Sequence, residues 1–436
     1  MELSIDTILT RAGTGPFQKH LLGIFGLVWA ADAMQVLAVG FTATSIAATF
    51  GLSIPEALQT GTLFFLGMLI GAYGFGKLAD KFGRRNILLI TVACDAVFGL
   101  LSVFAPSFGA LLALRFLTGA AVGGTLPVDY AMMAEFLPPK KRGKWLVGLE
   151  SFWAVGTIIV SLAAWAASAA GAEDAWRWVF AVTAFPAIIG FYLRFGVPES
   201  PLFLMKSGKM LEAKNVFNQM LLRNGQQQLG ETDTISLPSR TASYGLLSPE
   251  LRKRTLLIMG IWFLTSLSYY GVFVWLPARL AGEGFGFVKG YGFLVAVALA
   301  QLPGYALAAY GVDAWGRRPT LIAFLLFSAL GCFLFVIVNN PILVAISIMI
   351  MSFALLGTWG ALYAFTPELY PTEYRATGMG TAGAVARFGG LLAPSAMALL
   401  FIQSFTGALA LFAGLLVIGA LLGAFIDIET KDTSLS

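Results

Sequence analysis

The sequence predicts an all-α membrane protein: twelve transmembrane helices in two pseudo-symmetric six-helix bundles, with both termini in the cytoplasm. Three observations lead there. Of 436 residues, 58% are hydrophobic and 12% charged; a soluble domain carries about twice that charged fraction. Stretches of about 20 apolar residues, the length that crosses a bilayer core, recur from one end of the chain to the other. Two loop motifs also occur twice at one fixed separation.

The expected spans are 21–48, 59–79, 86–106, 108–134, 145–169, 176–196, 255–280, 290–312, 318–338, 341–366, 375–403 and 406–427. They lack the alternating pattern of an outer-membrane barrel, so they read as helices. Met1–Lys19 has no basic start followed by a short apolar run, so no cleavable leader is expected. All but five of the 28 Lys and Arg residues lie in the termini, the even-numbered loops or the span ends beside them. The five are Arg115 and Arg387 inside spans, and Arg177, Arg279 and Lys289 at odd-numbered loops. Positive charge stays on the cytoplasmic side, which sets the orientation. The net charge of +5 follows from that topology and implies no nucleic-acid partner. Cys94 and Cys332 lie in spans without metal spacing and are expected to be reduced. His20 falls at the edge of the first span, where a solvated role is expected.

The chain divides into a first bundle (1–197), a cytoplasmic linker (198–254) and a second bundle (255–436). The linker opens with one or two short amphipathic helices, continues in the polar run GQQQLGETDTISLPSR, expected to be flexible, and restarts helix at SPELRKR with Ser248 as N-cap. ADKFGRR (79–85) recurs in VDAWGRR (312–318), and AEFLPPKKRG (134–143) in PELYPTEYRA (367–376). Asp80 maps onto Asp313, Glu135 onto Glu368, Pro138 onto Pro371 and Arg142 onto Arg375, each pair 233 residues apart. One offset across two separate loops indicates a parallel duplication, and such halves rock around a midplane site in transporters.

GKLADKFGRR (76–85) resembles the loop signature of the major facilitator superfamily. RFLTG (115–119), PESPLFL (198–204), PELYPTEYRATG (367–378) and ETKD (429–432) resemble its sugar-porter and organic-ion branches. One departure is Ala309, where the second copy of the signature would open with glycine. The repeated acids and bases, Asp80, Arg84, Arg85, Glu135 and Arg142 with Asp313, Arg317, Arg318, Glu368 and Arg375, read as latches between helix ends that form in one state and release in another. The plainer alternative is that they only anchor topology.

Ionisable groups at bilayer depth should face a cavity or a partner. The candidates are Asp32, Asp95, Arg115, Asp129, Glu150 and Arg387. At about 1.5 Å per residue, Asp32 lies roughly 16 Å into its span and Arg387 roughly 18 Å beyond Arg375, both near mid-membrane; Asp95, Asp129 and Glu150 are expected nearer the cytoplasmic side. Asp32 is the first candidate proton carrier, because a carboxyl that alternates between a dry cavity and a neighbouring arginine can load and release a proton. Resemblance to the sugar porters pairs it with Arg115 of RFLTG, and Glu150 joins them as a third proton-coupling candidate. The other reading is a permanent ion pair.

Arg387 is either structural, neutralised by Asp129, Glu150 or carbonyls, or an anion hook that takes a carboxylate with two parallel hydrogen bonds. ARFGGLLAP (386–394) resembles the eleventh-span segment of organic anion and cation transporters, where arginine goes with anion carriers. Tyr269, Tyr270, Phe273 and Trp275 of the seventh span and Trp153 of the fifth are expected to clasp a ring, with Asp129 close by. YYGVFVWLP (269–277) resembles bacterial niacin transporters and synaptic-vesicle-like relatives.

These features predict no enzyme, no cofactor beyond protons as the coupling ion, and no GxxxxGK[ST] nucleotide loop. They predict a monomeric proton-coupled importer of a small organic, nicotinate-like acid, held in the lipid bilayer of a bacterial inner membrane; no N-x-[ST] sequon occurs. A sugar or polyol symporter and a non-transporting nutrient sensor are the alternatives. The latch reading predicts that Asp80→Asn abolishes most transport while membrane insertion, followed by fractionation, is unchanged; lost insertion would favour the anchor.

Overall fold

The computed structural model describes residues 2–184, 190, 193, 196–230, 232–236, 245–282, 290–401 and 404–431; within these, the side chains of 80, 127, 140, 278–282, 372, 373, 375, 376, 394, 398–401 and 405 are outside the description. Asp80 and Arg375 of the expected latches, and much of the sixth span, therefore lie outside the described residues.

A short strand, β1 (Glu2–Ser4), and α1 (Ile5–Ala12) precede α2 (Pro16–Phe50), α3 (Ile54–Ala57), α4 (Gln59–Phe82), α5 (Arg84–Val103), α6 (Phe108–Glu135), α7 (Pro139–Glu150), α8 (Phe152–Ala169) and α9 (Ala175–Thr183). The linker contributes α10 (Pro201–Lys206), α11 (Met210–Arg223) and β2 (Thr234–Ser236). Then come α12 (Arg252–Gly282), α13 (Tyr291–Leu299), α14 (Gln301–Ala314), α15 (Arg317–Ile337), α16 (Pro341–Glu368), α17 (Thr372–Phe401) and α18 (Phe405–Ala424). Among the described residues ten helices are long and apolar enough to cross a membrane. Their outer faces are apolar: Ile90, Val97 and Leu101 on α5 and Leu411, Ile418 and Leu421 on α18 are exposed, as lipid contact allows. Backbone polar groups are satisfied within each helix, the condition for crossing hydrocarbon.

Two expected spans are interrupted. The fifth breaks at Ser151, whose hydroxyl donates to the Gly148 carbonyl at 2.7 Å and competes with the backbone ladder. The eighth breaks at Ala300, three residues before Pro303, which lacks an N–H and crowds the carbonyl four residues back. Two linker expectations are corrected. Residues 234–236 of the polar run form a strand, pairing in parallel with 2–4. Ser248 does not cap: its hydroxyl is buried without a hydrogen bond, and the helix begins at Arg252. Asn224 ties this layer to the bundle by donating to the Ala12 carbonyl at 3.0 Å and to Gln18 at 2.7 Å.

Helices α2–α9 pack chiefly on one another, as do α12–α18; the two sets meet principally along α2–α12, α4–α17, α7–α16 and α8–α13. At one end of the bundle the two sets carry matching clamps. Arg84 pairs with Glu135, and Arg317 with Glu368 through two bonds of 2.9 and 3.2 Å. A carboxylate caps the N-terminus of each following helix. Glu199 accepts from the backbone N–H of Arg84 and Arg85, both at 3.1 Å; Glu429 accepts from Arg317 at 2.9 Å and Arg318 at 3.0 Å. Such helix starts favour anions. Ser200 then bonds Glu135, and Thr430 bonds Glu368 at 2.6 Å. Glycine is required at each turn, because Gly83 and Gly316 have φ of 99° and 110°. The PES and ETK segments are thus a third repeated element.

The clamps are internal to each half. Arg142 caps carbonyls, donating to Ala134 and Leu137 at 3.1 Å, and Asp313 lies 3.6 Å from Arg317 on adjoining helices. The pairs Arg84–Glu135, Arg317–Asp313 and Arg317–Glu368 each lie within one half. Because both partners of the Arg317–Glu368 fork are mostly buried, a double-mutant cycle with Arg317→Met and Glu368→Gln, read by chemical unfolding, should give a coupling of about 1–3 kcal/mol.

Candidate functional site

Midway along the helices, between the two sets, lies a cavity of about 480 Å³ counted with its open side. Trp29 of α2, Glu150 of α7, Trp153 of α8, Tyr269 and Tyr270 of α12, Trp359 and Tyr363 of α16, and Arg387 of α17 form its chemical wall. Met68, Leu126, Leu356, Gly383 and Ala386 complete it. Clefts that are mostly apolar with a few convergent polar groups are the usual sites of small organic ligands.

The aromatic wall is a connected set. Trp29 meets Tyr363 edge-on with ring centres 6.2 Å apart, and Tyr363 meets Trp262 at 4.9 Å. Tyr269 touches Tyr270 at 5.1 Å and Trp359 at 6.0 Å. Edge-on contacts stabilise such clusters beyond the area they bury. The Trp153 indole donates to the Tyr269 hydroxyl at 2.8 Å, joining α8 to α12 across the two halves. Behind Tyr270, Phe65 packs at 4.7 Å.

Arg387 is 9% exposed, and its Nε has no hydrogen-bond partner. Its electrostatic neighbours are Tyr363, Tyr270, Asp32 and Asp129. A methyl group on Gly383 would stand 2.8 Å from Arg387 Nη1, so glycine one turn away leaves room for the guanidinium. The Ser266 hydroxyl donates to the Ala386 carbonyl and fixes α17 beside it. Asp32 and Asp129 are buried behind the lining, and each keeps one carboxyl oxygen without a hydrogen bond.

The expected Asp32–Arg115 pair does not form. Arg115 donates to the Gln35 side chain and to the Gln35 carbonyl, both at 2.8 Å, and its guanidinium lies over Phe64 and Phe180 at 4.6 and 4.7 Å. Gln35, one turn beyond Asp32 on the same helix, supplies both acceptors. The charged neighbours of Asp32 are Asp129, Asp95 and Arg387. The depth expected for Glu150 is also corrected. Its helix begins at Pro139, so Glu150 stands about 16 Å in and lines the cavity. Phe273 packs behind Tyr269 at 5.0 Å, and Trp275 is fully buried; neither is part of the wall. Trp29, Trp359 and Tyr363 were missed. Their signal was spacing: Trp29 lies three residues before Asp32, and Trp359 and Tyr363 lie four apart on one helix face.

The Trp153–Tyr269 bond predicts that Trp153→Phe costs about 1 kcal/mol, because it leaves the buried Tyr269 hydroxyl without its donor. Trp153→Phe/Tyr269→Phe should lose less than the two single changes add up to, as read by chemical unfolding.

Comparison with known proteins adds the following. The model of the family described as "Sugar (and other) transporter" matches residues 36–436. The niacin transporter NiaP of Acinetobacter baylyi is 33% identical over 87% of this chain and 86% of its own. The synaptic vesicle 2-related protein of Xenopus laevis is 31% identical over 99% of this chain and 82% of its own. The structure of the xylose transporter XylE from E. coli, in a partially occluded inward-open conformation, superposes with a TM-score of 0.76 at 18% identity, over 96% of this chain and all of that one.

Proposed function

The chain belongs to the sugar (and other) transporter family of the major facilitator superfamily, a multi-pass membrane transporter, and we propose that it is a proton-coupled importer of a small aromatic carboxylate resembling nicotinate. The observation that carries this reading is Arg387, a nearly buried guanidinium with an unpartnered Nε at the wall of an aromatic cavity. A carboxylate can take two parallel bonds from such a group while its ring stacks on tryptophan and tyrosine. The name of the Acinetobacter relative, a niacin transporter, supports the same class of cargo. The bacterial inner membrane is the matching location.

Coupling to protons follows from charge. Asp32 and Asp129 share Arg387 as their basic neighbour. A substrate carboxylate bound to Arg387 withdraws that compensation, and a proton on Asp32 restores neutrality. Arg115, held by Gln35, keeps the first span in place for this exchange. One proton carried with one monovalent anion moves no net charge, so each pH unit drives about tenfold accumulation, or ~1.4 kcal/mol. A monomer suffices: the bundles 1–197 and 255–436 rock about the cavity, joined by the linker 198–254, while the Arg84–Glu135 and Arg317–Glu368 clamps keep each half rigid.

Uptake of labelled nicotinate into proteoliposomes with an acidic exterior tests this. Arg387→Ala should lower uptake at least about tenfold, and an ionophore that collapses the pH gradient should abolish accumulation. Glucose uptake indifferent to Arg387→Ala, with no nicotinate uptake, would establish the sugar symporter instead.

A further inference from the structure

The cavity holds a second ionisable group that carboxylate recognition does not use. Glu150 is 4% exposed, lines the cavity, and has one carboxyl oxygen without any hydrogen-bond partner. Around it stand Asp129 and Tyr130 from α6, Tyr269 and Tyr270 from α12, Tyr305 from α14 and Tyr363 from α16. None of these is basic. Among the described residues, no Lys, Arg or His forms an ion pair with Glu150. Arg387 does not serve as its counter-charge, because the acidic neighbours of Arg387 are Asp32 and Asp129. Both groups line the same cavity, and Asp129, Tyr270 and Tyr363 are neighbours of each. Arg387 comes from α17 of the second half and Glu150 from α7 of the first.

We propose that Glu150 receives a positively charged nitrogen of the same ligand whose carboxylate Arg387 holds, so that the preferred substrates are zwitterions built on an aromatic ring. The proposal rests on the carboxylate reading of Arg387 and adds the opposite pole. Three features converge. A buried carboxyl without a basic partner is neutralised by a proton or by a cation, and a cationic ligand in the same cavity can supply either. The aromatic side chains that line the cavity with it, Trp153, Tyr269 and Trp359, can favour a cation already desolvated there. A flat ring with charges on opposite edges can offer its carboxylate to Arg387 on α17 and its cation to Glu150 on α7, with the aromatic side chains of the lining around it. A pyridinium carboxylate has this form, whether its nitrogen is methylated or carries a proton shared with Glu150. A simple benzoate satisfies only Arg387 and leaves Glu150 unmatched.

Calorimetric titration of the purified full-length chain in nanodiscs tests this with benzoate and 1-methylpyridinium-3-carboxylate as probes. The expected result is at least about tenfold tighter binding of the pyridinium, with that ratio falling close to one in Glu150→Gln and partly recovering in Glu150→Asp. Arg387→Ala should weaken both probes together. A Glu150→Gln variant that melts normally and keeps the wild-type ratio would overturn the proposal, as would a wild type that prefers benzoate. Binding of either probe that Arg387→Ala leaves unchanged would overturn the carboxylate reading beneath it, and so would binding of neither probe to the wild type. If Glu150→Gln fails to fold, a wild-type ratio retained in Glu150→Met overturns the proposal equally.

Discussion

A guanidinium at mid-membrane depth has to be compensated where it stands, because neither lipid nor a dry protein interior solvates it. The electrostatic neighbours of Arg387 are Tyr363 and Tyr270 and, from the other half of the bundle, Asp32 on α2 and Asp129 on α6. The attraction crosses the boundary between the halves and so bears on how they sit together. It also explains the run of small residues on α17. Gly383 lets the guanidinium lie back against its own helix one turn earlier, where a Cβ would stand 2.8 Å from Nη1, and both Gly383 and Ala386 line the cavity with it. On the proposed function, a ligand carboxylate would compete for the same guanidinium, which would make binding and charge redistribution a single event.

The duplication serves the two levels of the molecule differently. At the looped end both halves repeat the same device: a left-handed glycine turn, a glutamate on the following helix start, and an arginine–glutamate clamp beside it. Rigid halves are useful to a protein whose working motion lies between them. In the middle the repeat has diverged. The first half contributes Asp32, Asp129 and Glu150, and the second contributes Arg387; Ala154 stands 233 residues before that arginine. Symmetry is kept at the clamps and lost around the cavity, where the two halves contribute unlike charges.

Much of this was legible in the linear chain. Hydropathy located the membrane helices to within a few residues where the structure describes them, because a bilayer demands both apolar length and internal backbone bonding. The constant 233-residue offset exposed the duplication. Glu199 and Glu429 were read only as family motifs, since their offset of 230 is not that of the loops, and only their shared grip on helix starts reveals the equivalence. Arg387, Tyr269, Tyr270 and Trp153 reached the cavity wall as expected. Phe273 and Trp275 did not, because in an apolar helix aromatic composition says nothing about which face turns inward.

What the sequence by itself determined is therefore the class of molecule: the bilayer as solvent, the helices, the duplicated halves, and a small set of charges too costly to leave without purpose. What only the tertiary structure decided is which charges meet. Asp32 and Gln35 lie one turn apart on the same helix, and either could have taken Arg115. Gln35 does so, leaving Asp32 to the field of Arg387. Glu150 likewise moved from an expected place near the membrane edge to the cavity wall, because its helix starts at Pro139. The physical reason is common to both. Spacing along a helix sets depth and face, but partners across a bundle are chosen by helix start points, breaks and crossings, which are properties of packing.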